Sequence, residues 1–385
     1  SRLLVKEEKY DSLNNSQKVQ YFISKSVDRK SCDSIHSPLT AACKGGNEKI
    51  VQLLLDKGKD VNQVDGGGST PLTAACKGGN EKIVQLLLDK GSDVNQVDDK
   101  GSDVNQVDGR ECTPLTAACI RGNEKIVQLL IDKGSDVNQD KGSDVNQVDG
   151  MGCIPLTAAC REGNEKIVQL LIDKGSDVKQ VETYGYTPLT AACREGNEKT
   201  VQLLIDKGSD VNQVDGIGCT PLTAACIRGY EKIVQLLIDK GSDVNQVETY
   251  GKFTFDSCLV VKGHEKIVQL LIDKGSDVNQ VNGRRCTPLT AACESGNEKI
   301  VQLLIDKGSN VNQVDDKGSD VNQVDRWGCS PLTAACKRGN EKIVQLLIDK
   351  GSDVNQVGSR GVHLMTAACE RGHEKIVQLL IDKAK

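Results

Sequence analysis

Residues 215–247 read DGIGCTPLTAACIRGYEKIVQLLIDKGSDVNQV, and nearly the same string recurs along the rest of the chain. Its motif proline falls at Pro38, Pro71, Pro114, Pro155, Pro188, Pro221, Pro288 and Pro331, with Phe255 and Leu364 at that place in two degenerate copies. The intervals are 33, 43, 41, 33, 33, 34, 33, 43 and 33 residues. A fixed period of this length signals a stacked array, in which each unit buries its apolar face against its neighbours. It overrides the expectation of two or three separate domains that 385 residues would otherwise raise.

The unit can be read from local chemistry. The Thr220 hydroxyl can cap exposed backbone N–H groups, and Pro221 fits the first helical position. The short helix Leu222 to Arg228 stops at Gly229. A second start follows at Tyr230-Glu231, which most copies write as Asn-Glu, a stronger cap. The second helix carries Ile233, Val234, Leu236, Leu237 and Ile238, a band wide enough to pack on its partner and on both neighbouring units. Lys240 suits the helix C-terminus, and Gly241 supplies a left-handed stop. Ser242 to Asn245 then reads as an extended turn leading to the next unit.

The string Gly-x-Thr-Pro-Leu-x-x-Ala-x-x-x-Gly-(Asn/His)-x-x-Ile-Val-x-Leu-Leu-x-x-Lys-Gly-x-Asp-Val-Asn resembles the ankyrin repeat, over about residues 32–385. The resemblance implies an all-α solenoid of about ten repeats, each a helix-turn-helix plus a hairpin loop. Hairpin tips and first helices would line its concave surface. The array divides as 32–64, 65–107, 108–148, 149–181, 182–214, 215–247, 248–281, 282–324, 325–357 and 358–385. Residues 1–31 read as a diverged N-terminal capping segment, because 15–28 align with the second helix and its glycine turn. The last helix, Glu374 to Asp382, repeats the internal sequence unchanged, which suggests a fragment or a continuation beyond Lys385. Thr223 stands where the family usually has His.

Three intervals are long because the loop is written twice, at 89–108, 132–147 and 306–325. These insertions add turn residues and no helix, so they should bulge outward, where loop length costs little. Their Asp and Asn lack the spacing and closing Glu of a calcium loop. In the unit 248–281, Asp256 falls where a buried Leu is expected. Burial of an unpaired carboxylate is costly, so this unit should be a soft spot or bend.

Aromatics are 3% of residues and hydrophobics 37%, which suits thin layers filled by Ala, Leu, Ile and Val. The formal charge of −5 argues against non-specific nucleic-acid binding. No apolar run approaches the ~20 residues of a membrane span, and no signal peptide opens the chain. It starts with Ser1 rather than Met, which leaves a removed leader or a missing upstream region open. The sixteen cysteines follow the repeat, which points to reduced thiols in a cytoplasmic or nuclear protein. Cys43, Cys76, Cys119, Cys160, Cys193, Cys226, Cys293, Cys336 and Cys369 follow Ala-Ala on the first helix, a place for a small buried residue. Cys112, Cys153, Cys219, Cys286 and Cys329 sit on the hairpin. Neither class has metal spacing. His36, His264, His363 and His373 form no catalytic dyad, and no phosphate loop occurs. The pattern therefore implies no enzyme, no cofactor and no metal.

The informative variation lies between copies. Residues flanking the hairpin glycine change: Arg110, Glu111, Met151, Tyr184, Tyr186, Ile217, Tyr250, Lys252, Arg284, Arg285, Arg326, Trp327 and Arg360. So does the pair before the first-helix glycine, with Arg121, Arg161, Arg194, Arg228, Lys337, Arg338 and Arg371. By resemblance these line the concave face. Eleven of the thirteen arginines lie at these places, with the only Trp and three of six Tyr, whereas the template elsewhere uses lysine. Arginine and aromatics dominate interface hot spots. The expected function is therefore a non-catalytic, monomeric scaffold that binds an acidic or phosphorylated protein or peptide. The strongest patch is expected at Arg284, Arg285, Arg326, Trp327, Lys337 and Arg338. The alternatives are the targeting arm of a larger enzyme or channel, such as a ubiquitin-ligase adaptor, a spacer without a dedicated partner, and a nucleic-acid binder. Leu237 to Asn245 also resembles the ankyrin sequence hydroxylated by asparaginyl hydroxylases, with Asn245 as the acceptor.

Overall fold

The computed structural model describes residues 36–94, 112–133, 146, 153–183, 185–216, 218–246, 263–280, 286–311, 330–355 and 364–383. These residues form helices and turns, with no strand among them. First helices are Pro38–Lys44, Pro71–Gly78, Pro114–Arg121, Pro155–Glu162, Pro188–Glu195, Pro221–Arg228, Pro288–Ser295, Pro331–Arg338 and Leu364–Glu370. Second helices are Glu48–Asp56, Glu81–Asp89, Glu124–Asp132, Glu165–Asp173, Glu198–Asp206, Glu231–Asp239, Glu265–Asp273, Glu298–Asp306, Glu341–Asp349 and Glu374–Lys383. The chain divides into two compact units, Ser1–Asp177 and Val178–Lys385. Within each, first helices pack in a row on first helices, second helices on second helices, and each first helix on its own second helix.

The first helix begins as the sequence dictates. Thr220 lies in extended backbone, its Oγ1 accepts the Thr223 N–H at 3.0 Å, and Pro221 occupies the first turn. The Thr223 side chain turns back to the same hydroxyl at 3.0 Å, so both threonine hydroxyls are satisfied inside the core. Ile154 breaks the pattern. It cannot cap, and the buried Thr157 Oγ1 is left without a hydrogen-bond partner.

Gly229 ends the first helix with φ 83°, as the sequence implies, and a second constraint acts there. A Cβ on Gly229 would stand 2.4 Å from Cε1 of His264, the residue that opens the next second helix. Glycine is thus needed for chain reversal and for the approach of the following repeat.

The opening of the second helix corrects the sequence reading. Asn80 and Asn164 make no capping bond. Their side-chain amides instead donate to the carbonyls of Cys43 (2.9 Å) and Cys119 (3.3 Å), each one repeat earlier. Asn123, Asn297 and Asn340, by contrast, accept from the backbone three residues on. The apolar band is also narrower than expected. Ile233, Val234 and Leu237 are buried, whereas Leu236 and Ile238 are half-buried. The first-helix Leu-Thr-Ala-Ala-Cys segment supplies the rest of the core, with Leu222, Thr223, Ala224, Ala225 and Cys226 all buried.

Within each unit, three columns of contacts link successive repeats. Lysines of second helices pair with acids of the one before, as in Lys240–Asp206 (3.4 Å) and Lys232–Glu198 (3.5 Å). In the loops, Asn212 donates to the Gly241 carbonyl (3.2 Å) and accepts the Asp243 N–H (2.9 Å). Asn245 repeats this with Gly275 (3.0 Å) and Asp277 (2.9 Å). Ser242 Oγ reaches the Val211 carbonyl at 3.4 Å. The same contacts persist across the duplicated loops: Lys133 meets Asp89 at 2.8 Å and Lys350 meets Asp306 at 3.6 Å. The insertions thus leave the register of the flanking helices intact. Most of their own residues, and the first helix of the unit 248–281 with Asp256, lie outside the described residues.

Candidate protein-binding surface

The C-terminal ends of the first helices carry the residues that vary between repeats. At the two places before the helix-ending glycine, the charged side chains among the described residues are Lys44, Lys77, Arg121, Arg161, Glu162, Arg194, Glu195, Arg228, Glu294, Lys337, Arg338, Glu370 and Arg371. Nine of these are basic and four acidic, in a chain whose formal charge is −5. Positive charge here faces the negative end of the helix dipole, which favours it locally.

At the inner place, which directly follows the first-helix cysteine, two arginines meet the residue eight positions earlier. Arg194 is half-buried, donates to the Tyr186 hydroxyl at 2.8 Å, and lays its guanidinium over the ring at 4.6 Å from the centroid. Arg161, also half-buried, approaches the Cys153 sulfur at 3.5 Å. The charged residues at the outer place are exposed. Arg121 reaches across to the preceding repeat and donates through Nε to the Lys77 carbonyl at 2.6 Å. Arg228, Arg338 and Arg371 are exposed. The Lys337 carbonyl contacts His373 Nε2 at 3.3 Å.

The structure thus places Arg121, Arg161, Tyr186, Arg194, Arg228, Lys337, Arg338 and Arg371 among the residues it describes. Arg110, Glu111, Met151, Tyr184, Ile217, Tyr250, Lys252, Arg284, Arg285, Arg326, Trp327 and Arg360 lie outside them. Sequence reasoning named Tyr186 and Arg194 separately and missed their pairing. The signal was present, since Tyr186 and Arg194 stand at the same separation as Cys153 and Arg161.

The hairpin loops supply the adjoining surface. Asp215 opens one such turn: its N–H donates to the Cys219 carbonyl (2.9 Å), and its Oδ1 accepts the Cys219 N–H (2.8 Å). The neighbouring hairpin touches it directly, with the Gly216 N–H donating to the Gly185 carbonyl at 2.7 Å. A Cβ on Gly185 would fall 2.2 Å from the Gly216 Cα, so neither place accepts a side chain.

The cysteines lie beneath this surface. Cys76, Cys119, Cys160, Cys193, Cys226, Cys293 and Cys336 are fully buried, and no described cysteine is in a disulfide. Burial pushes the thiols of Cys43 and Cys336 up to about 12, and Cys119, Cys160 and Cys293 higher still. Such thiols act as small apolar groups and not as nucleophiles. The hairpin cysteines Cys112, Cys153 and Cys219 are buried as well, whereas Cys369 is exposed. Among the described residues, no group of three His, Cys, Asp or Glu side chains could hold a metal ion, and no helix is long and apolar enough to cross a membrane.

Comparison with known proteins agrees with this geometry. A family model described as ankyrin repeats (3 copies) matches residues 10–98, 100–182, 139–215, 175–248, 257–315 and 312–385. Among solved structures, the human ASB11 ankyrin repeat domain is similar at 24% identity and a TM-score of 0.52, over 59% of this chain and 98% of that one. That likeness concerns the fold alone. No curated protein matches the chain.

Proposed function

Because this chain belongs to the ankyrin repeat family, whose members are generally protein-interaction modules, we propose that it is a non-catalytic scaffold binding a partner through its first-helix ends and hairpins. The favoured ligand is an anionic segment of a protein. One observation carries this reading: basic residues outnumber acidic ones nine to four at the described first-helix ends, against a net charge of −5 for the whole. The helix dipole alone would be served by lysine, which the template uses at the second-helix ends. Arginine adds a planar fork suited to carboxylates and phosphates. The second helices, nearly identical in every repeat and stitched by ion pairs, serve as the frame. The sixteen cysteines follow the repeat and not a disulfide framework, which supports a reducing compartment, cytoplasm or nucleus.

Affinity capture from matched lysate tests this. The native chain is run beside one carrying Arg121→Glu, Arg228→Glu, Arg338→Glu and Arg371→Glu. Glu already occupies the equivalent place at Glu162 and Glu195, so the stack should tolerate the changes. Proteins with acidic segments should be retained by the native chain and lost by the variant. Identical captured sets would move recognition to another surface.

A further inference from the structure

Five hairpin cysteines share one place in the repeat, and the residue eight positions on differs in its charge. It is Ile120 for Cys112, Arg161 for Cys153, Ile227 for Cys219, Glu294 for Cys286 and Lys337 for Cys329, the last cysteine lying outside the described residues. At Cys153 the structure shows the contact: a terminal nitrogen of Arg161 reaches the sulfur at 3.5 Å. The same guanidinium acts on a second sulfur. Burial raises the Cys160 thiol, and Arg161 opposes that rise. Glu294 acts in the other direction, adding to the burial that raises the thiol of Cys293.

Exposure follows a different order. Cys153 is 9% exposed, against 3% for Cys112 and 5% for Cys219. Half-buried Cys286 is more open than all three. A cation in contact with sulfur favours the thiolate, which is the form that reacts. Electrostatics therefore ranks Cys153 first and Cys286 last, whereas access alone would put Cys286 ahead.

The next repeat shows what an arginine at this place can hold. Tyr186 takes the cysteine place, and its hydroxyl oxygen accepts from Arg194 at 2.8 Å. One oxygen added to the Cys153 sulfur would offer Arg161 the acceptor that Tyr186 offers Arg194.

We infer that Cys153 is a site of oxidation to a sulfenic acid by hydrogen peroxide, with Arg161 as its positioning residue. The thiolate attacks one peroxide oxygen. The S–O bond forms as the O–O bond breaks, and the other oxygen leaves as hydroxide. That hydroxide takes up the proton lost by the thiol and becomes water. The sulfur is oxidised and the peroxide reduced. Arg161 stabilises the thiolate before the step and donates to the new oxygen after it.

The test treats the full chain with hydrogen peroxide in the presence of dimedone, which captures sulfenic acids, and reads each cysteine by mass spectrometry. Cys153 should be labelled about tenfold faster than Cys112, Cys219 and Cys286. Arg161→Ile, which copies Ile120 and Ile227, should slow Cys153 about tenfold and leave exposed Cys369 unchanged. Arg161→Lys, which copies Lys337, should restore the rate. Ile227→Arg copies Arg161 and Arg194 and should speed Cys219 about tenfold, a gain that no loss of folding could imitate at that site alone. Circular dichroism melts verify the fold of each variant. Labelling in order of exposure, with Cys286 ahead of Cys153, overturns the inference, as does a Cys153 rate that Arg161→Ile leaves unchanged.

Discussion

At the scale of single residues, one threonine pair isolates what a buried hydroxyl is worth. Thr223 and Thr157 occupy the same place in two repeats and are both buried, yet only Thr223 has a capping hydroxyl to meet. Thr223→Val should therefore lower stability by about 1 kcal/mol, through a lost hydrogen bond. Thr157→Val removes an unsatisfied buried hydroxyl at constant shape and should raise stability by about 1 kcal/mol. Urea midpoints of the two variants measure this, and shifts of the same sign would contradict it. The same residues show what the sequence could reveal. Thr220, Pro221 and the left-handed stop at Gly229 act within one turn of themselves, so these roles were legible, whereas the approach of His264 to Gly229 was not. The Asn80 amide bonds a carbonyl 37 residues away, and no local rule pointed there. Likewise the half-buried state of Leu236 and Ile238 depends on how far neighbouring helices extend over them. The candidate site was legible as a set of variable positions, but not as pairs. Tyr186 and Arg194 meet only because the hairpin folds back over the end of the first helix.

Between elements, two kinds of column set the response to pH. Asp89, Asp206 and Asp273 are held below the ordinary carboxylate range. For Asp89 and Asp273 the leading cause is the hydrogen bond from Lys133 or Lys307 of the following helix, and for Asp206 it is Gln202. A lowered folded value means stabilisation that is present at neutral pH and lost as pH falls through the ordinary range toward the folded value. The buried thiols act in the opposite direction. Their folded values are raised, so their stabilisation is complete below the ordinary thiol value of about 8.5. It is lost as pH rises toward about 12, the value for Cys43 and Cys336. The melting temperature should therefore be level across neutral pH and fall below about pH 4 and above about pH 9. Because the aspartates are exposed and the thiols buried, salt should shrink the acid limb and spare the alkaline one. An acid limb indifferent to salt would remove the ladder from the account.

For the whole molecule, the central claim is a division of labour: repeated second helices and loop asparagines build the stack, while departures from the template at the first-helix ends recognise a partner. Ion pairs that keep their geometry across the duplicated loops support the first half. The second half is tested most directly by hydrogen–deuterium exchange of the chain, alone and with the acidic partner recovered by affinity capture. Opening at helix ends and hairpins is local, so contact there should register as slowed exchange. The account predicts protection at 186–196, 218–229 and 330–339, with residues 231–239 unchanged. Protection confined to the second helices, with the first-helix ends unaffected, would contradict it.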